Sequence, residues 1–186
     1  MSQNVFVDHT VESAPPDSRR SMQATTANFG YLPAPVARLA SSPQTLEGFL
    51  KVSGLFEATT LDPLAREVLV LTIATRNGCH VCVAIHTARL EQLGADAGVI
   101  TALRDQRPLA DERLEAIRVF TVEVLASAGA VSAAAMAAFL AQGYTPRNAL
   151  EVVLGIGAYT MSTLANRMTG APLDEPLRQY AWVAPD

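Results

Sequence analysis

The chain has 186 residues, 49% of them apolar, and a formal net charge of -4. This composition excludes a disordered chain, and one lysine (Lys51) among scattered arginines excludes a basic nucleic-acid-binding face. No apolar run reaches the roughly 18 residues of a membrane span, and the N-terminus lacks the pattern of a signal peptide, so a cytoplasmic protein without nucleic-acid or membrane partners is expected.

Residues 1–30 read as an irregular arm, with Pro15-Pro16, several Ser and Thr, and no apolar period. From "GYLPAP" onward, Ala, Leu and Val recur at helical spacing and β-type alternation is almost absent. A single all-helical domain is therefore expected over 31–186. Ser42-Pro43 opens the helix "QTLEGFLKVSGLFEA", and Asp62-Pro63 opens "LAREVLVLTIATRN" with a capping residue followed by an N1 proline. Gly78 breaks the chain, and "CHVCVAIHTARLEQLG" follows as a helix ending at Gly94. Asp96 caps a short helix to about Arg104. "ADERLEAIRVFTVEVLASAG" is long and amphipathic, Ser132 caps an alanine-rich helix, and Thr145-Pro146 caps the last long one. About eight helices with short links predict an all-α fold. The alanine-rich face in so small a chain predicts further burial in an oligomer.

Residues 79–86, "CHVCVAIH", hold both cysteines and two of the three histidines. Cys79 and Cys82 stand at i and i+3, on one face of a helix and in its first turn, where amides and dipole favour a thiolate. In a reducing compartment such a pair is a working dithiol or a metal site rather than a staple. His86 stands one turn beyond Cys82 on the same face, placed to exchange a proton with it. His80 lies about 100° round from Cys79 and is the weaker candidate for a relay. Glu67, twelve residues before Cys79, sits among Val68, Leu69, Val70 and Leu71. If buried, it needs a partner, and a raised pKa would suit it to proton transfer. If it faces solvent beside Arg66, it has no such role. Phe49, Phe56 and Tyr159 are residues that could line a substrate path but are by default expected in the core.

Glu67, eleven residues, Cys79-x-x-Cys82, three residues and His86 make a pattern that resembles the alkylhydroperoxidase D and carboxymuconolactone decarboxylase superfamily, in its peroxidase-related branch. The likeness extends to "LDPLAREVLVLTIATRNGCHVCVAIHTARLEQLGAD" and to "NRMTGAPLD", covering most of residues 45–175. It implies an all-helical trimer or hexamer with no bound cofactor beyond its own redox-active dithiol. It implies a thiol peroxidase that reduces organic hydroperoxides in antioxidant defence. Cys82 would be peroxidatic, Cys79 resolving, and Glu67 with His86 the proton relay; a dithiol reductant, which the family suggests to be a lipoyl protein, would reset the disulfide. By the dipole argument Cys79 has the lower pKa, whereas Cys82 is nearer His86. The chain departs from the family's well-studied peroxidases at Val81, where they often carry a histidine. The alternatives are a decarboxylase-like lyase, which typically lacks the CxxC, a zinc site drawn from Cys79, His80, Cys82, His86 and Glu67, and a non-catalytic helical assembly whose cysteines merely pack.

Overall fold

The computed structural model describes residues 5–185. Its first helix corrects the sequence reading. Residues 1–4 lie outside the described residues, but within the expected arm Pro16–Phe29 is a 14-residue helix, α1, with Pro16 in its first turn and Gly30 (φ 78°) closing it. Its buried residues are Ser18, Met22 and Thr25. They follow the helical i, i+4, i+7 spacing, yet two of the three are hydroxyl-bearing, so no apolar period marks the helix. Ser18 Oγ donates to the Ala40 carbonyl at 2.8 Å, which satisfies that buried hydroxyl. A second short helix, α2 (Ala34–Leu39), was also not anticipated. Its Arg38 is buried, forms an ion pair with Asp8 at 2.6 Å, and donates to the carbonyls of Thr169 and Gly170. That one side chain ties the N-terminal segment to the far end of the chain.

The seven helices read from the sequence follow, five of them with the caps expected at Ser42, Asp62, Asp96, Ser132 and Thr145. They are α3 (Pro43–Glu57), α4 (Pro63–Arg76), α5 (His80–Gln92), α6 (Ala97–Arg104), α7 (Glu112–Ala126), α8 (Ala133–Ala141) and α9 (Pro146–Thr169). Ser42, Asp62, Asp96, Asp111, Ser132 and Thr145 each accept a first-turn amide hydrogen bond, and Thr145 with Asn148 completes a capping box. A 3₁₀ turn, Glu175–Tyr180, ends the regular structure, and no strand occurs among the described residues. No helix among them is long and apolar enough to cross a membrane.

α4 is the axis. It packs against α5, α6, α7 and α9, and every residue from Glu67 to Thr75 is buried. α9 lies directly on α4 and α3, and Gly155 permits the approach: a Cβ there would stand 2.6 Å from Phe56 and 2.9 Å from Leu69. A second, smaller apolar cluster joins α1, α2 and α3 through Ala14, Met22, Val36, Leu39 and Leu46. Between the two clusters runs a cavity of about 700 Å³, bounded by α1, α2 and α3 on one side and by α5 and α9 on the other.

Candidate active site

The turn between α4 and α5 sets the cysteines. Asn77 ends α4, Gly78 takes a left-handed conformation (φ 64°), and Cys79 is extended at the N-cap of α5. The amides of Asn77, Gly78 and Cys79 fold back onto carbonyls of Ile73, Thr75 and Ala74, closing the helix as a glycine-terminated cap. Asn77 Nδ2 also donates to Thr163 Oγ1 at 2.8 Å, which fixes this turn to α9.

Both cysteines are free and buried, and their sulfurs lie 3.1 Å apart. That is longer than a disulfide bond of about 2.05 Å and close enough for one proton to be shared. The hydrogen bond from Cys82, helped by the amides of Cys82 and Val81, outweighs burial and holds the Cys79 thiol down at about 7. The same sulfur contact, burial and the charge on Cys79 push Cys82 well up, against smaller opposing effects of Asn166 and Ser162. The negative charge of the pair therefore resides first on Cys79, at the helix N-terminus. Cys82, however, is the cysteine that borders the cavity, together with His86, Tyr159, Ser162 and Asn166.

Glu67 is 3% exposed. Its Oε2 meets His86 Nδ1 at 2.7 Å, and its Oε1 meets Arg89 at 3.2 Å. The solvent-facing alternative is excluded. The expected raised pKa is also corrected: burial alone would raise it, but His86, Arg89 and Arg66 more than offset that and hold the carboxyl below its ordinary value. Glu67 is thus a fixed carboxylate that accepts from His86 Nδ1 and leaves Nε2 free for chemistry. His80 is exposed and is not brought to this cluster. Among the described residues no three His, Cys, Asp or Glu side chains converge in a way that could hold a metal ion.

Two features escaped sequence reasoning. Ser162 and Asn166, on α9, contact Cys82 Sγ at 3.8 and 3.3 Å from eighty and more residues away. Helical spacing from Tyr159 was the available signal, since 159, 162 and 166 share a face. The cavity's outer wall comes from Phe29 and Tyr31 in and after α1, within and beside the supposed arm. Phe49 and Tyr159 line the cavity, whereas Phe56 is fully buried and packs edge-on to Tyr159.

Residues 43–121 match the model of the carboxymuconolactone decarboxylase family. No curated protein matches the chain in sequence. Among solved structures, it is similar to the alkylhydroperoxidase AhpD core of an uncharacterized peroxidase-related protein from Ralstonia eutropha. That likeness has TM-score 0.81 and 19% identity over 92% of this chain and 93% of the other. An uncharacterized peroxidase-related protein from a Silicibacter species is similar with TM-score 0.77 and 17% identity, over 95% of each chain. These structures share its all-helical fold. The segment that matches the carboxymuconolactone decarboxylase family carries Glu67, Cys79, Cys82 and His86, and the fold around it is similar to that of the alkylhydroperoxidase AhpD core.

Proposed function

We propose that the protein is a thiol peroxidase that reduces organic hydroperoxides with its Cys79–Cys82 dithiol. The observation that carries this reading is the sulfur pair at 3.1 Å, one member of which borders a cavity of about 700 Å³ walled largely by apolar side chains. A cavity of that size suits a ligand well beyond hydrogen peroxide.

The two cysteines divide the work by environment. Cys82 meets the substrate. Its thiolate is costly to form, and a thiolate of higher pKa is the stronger nucleophile. His86, one turn along α5 and held by Glu67, takes its proton and returns it to the departing alkoxide. Cys79, with a pKa of about 7, is readily ionised and already in place to attack the resulting sulfenic acid. In sum, two thiols and ROOH give a disulfide, ROH and water. An external dithiol reductant, for which a slender lipoyl arm is suited, resets the pair, and no other cofactor takes part. A dithiol at rest fits a reducing, cytoplasmic setting.

We also propose a homo-oligomer, trimeric or hexameric. Leu150 (72% exposed), Val153, Leu164 and Met168 (73%) lie on one face of α9, opposite Tyr159, Ser162 and Asn166. Such an apolar stripe calls for a cover.

The reading is tested by counting free thiols before and after one equivalent of cumene hydroperoxide. Loss of two thiols, abolished by Cys82→Ser, is expected; unchanged thiols would overturn it. One observation favours a second reading, a decarboxylase-like lyase: His86 borders the cavity with Glu67 hydrogen-bonded to it, and this pair needs no cysteine for acid–base chemistry. A lyase would keep its activity in the Cys79→Ser/Cys82→Ser double variant.

A further inference from the structure

Asn166, on α9, is 3% exposed, borders the cavity, and donates from Nδ2 to Cys82 Sγ at 3.3 Å and to Ser162 Oγ at 3.4 Å. Cys82 directs its own hydrogen at Cys79, so towards Asn166 its sulfur accepts and the amide nitrogen belongs on the sulfur side. That leaves Asn166 Oδ1 buried with no hydrogen-bond partner among the described residues. A buried carbonyl oxygen without a donor is a standing cost to the fold. The helix that carries Asn166 is held in place on both sides of it. Asn77 anchors α9 at Thr163, and Arg38 binds the carbonyls of Thr169 and Gly170 just beyond. The acceptor is therefore held ready, beside the sulfur that faces the cavity.

We propose that Asn166 is a substrate-positioning residue, its Oδ1 accepting the O–H of a hydroperoxide while its Nδ2 holds Cys82 Sγ. This rests on the thiol-peroxidase reading above. The two amide atoms stand side by side on one planar group. A hydroperoxide bound through its terminal O–H thus has its distal oxygen placed against the sulfur, in the near-attack range of about 3–3.5 Å. Cys82 first passes its proton to His86. The sulfur electron pair then attacks the distal oxygen, and the S–O bond forms as the O–O bond breaks. The hydrogen on that oxygen remains there as the sulfenic acid O–H, still donating to Oδ1. The alkoxide leaves with the O–O electron pair and takes the proton from His86. The peroxide is reduced to an alcohol and Cys82 is oxidised by two electrons. Recognition by an O–H donor selects hydroperoxides over reagents that reach the sulfur without one.

The test compares two reagents at Cys82, followed by mass spectrometry: cumene hydroperoxide, which carries the O–H, and methyl methanethiosulfonate, which has no such donor. Asn166→Ala is expected to slow the peroxide reaction about 30-fold, and the thiosulfonate reaction only a few-fold, as befits one lost substrate hydrogen bond. Asn166→Asp keeps the shape and the acceptor but loses the donor to sulfur, so both rates fall together, and this near-isosteric variant decides the matter if the alanine variant does not fold. Equal slowing of both reagents in Asn166→Ala, no slowing of either, or peroxide-only slowing in Asn166→Asp would overturn the inference. Wild-type protein whose thiols ignore cumene hydroperoxide overturns the peroxidase reading itself, and this inference with it.

Discussion

Glu67→Gln separates the electrostatic role of the buried carboxylate from its shape. In the wild type, Glu67 accepts from His86 at 2.7 Å and meets Arg89 at 3.2 Å while 3% exposed. Deleting one partner of a buried pair costs about 3–5 kcal/mol. Glutamine keeps an oxygen for His86 Nδ1, and Arg89, 43% exposed at its side chain, is screened by solvent, so a loss of about 1–2 kcal/mol at neutral pH is expected. The pH dependence is the sharper reading. The carboxyl is held below its ordinary value of 4.5. A depressed carboxylate stabilises the fold above its unfolded pKa, and that stability is lost as pH falls through the folded pKa. The gap between wild type and variant should therefore stay constant down to about pH 5 and shrink below about 4.5. Urea unfolding at a series of pH values measures it. A gap that stays constant to about pH 3, or that widens there, would refute the argument that Glu67 ionises as a stabilising carboxylate. Peroxide consumption in the same variant should slow by about 10–100-fold, since His86 keeps its orientation but loses the charge that supports its proton transfer.

Cys82→Ala should raise the alkylation midpoint of Cys79 above about 7, because the hydrogen bond from Cys82 is the largest effect holding it down; a midpoint unmoved in a pH series with iodoacetamide would contradict this. His86→Ala should slow the peroxide step far more than His80→Ala, whose ring faces solvent; equal rates in a turnover assay would remove His86 from the relay. Gly155→Ala should cost about 1–3 kcal/mol in urea unfolding, because its new methyl meets the fully buried Phe56 and Leu69. Met168→Glu should lower the mass of the assembly by light scattering without changing helix content, and an unchanged mass would leave the α9 stripe uncovered by a second copy.

The helices that the sequence marked best are those with chemical punctuation. Asp62-Pro63, Thr145-Pro146 and Ser42-Pro43 each combine a side-chain acceptor with a pre-set proline, and each caps the helix it was read to cap. α1 lacked such a mark and buries Ser18 and Thr25 where an apolar pair would have been legible. The orientation of Glu67 was undecidable for a different reason. α4 is buried on all sides from Glu67 to Thr75, so its sequence carries no stripe against which a polar residue could be placed inside or outside. The site showed the same division. Glu67, the CxxC pair and His86 fall on consecutive helices and are linked by local spacing. Ser162 and Asn166 reach Cys82 only through the packing of α9; spacing groups them with Tyr159 on one face but does not say what that face meets. The depressed pKa of Glu67 likewise depends on Arg89 and His86 arriving together from α5.

The C-terminal strap gives the molecule a built-in optical reporter. Arg104 donates to Thr87 Oγ1 and to the carbonyls of Tyr180 and Ala181, and Trp182 Nε1 donates back to the Arg104 carbonyl at 3.0 Å. Trp182 is the chain's one tryptophan. Intrinsic emission excited at the indole band therefore follows the docking of the last few residues on α6, not the melting of the core around α4. A fluorescence transition that precedes the loss of helical circular dichroism would mark detachment of the strap, which also carries Leu177 at the cavity wall, and would time the opening of that wall separately from global unfolding.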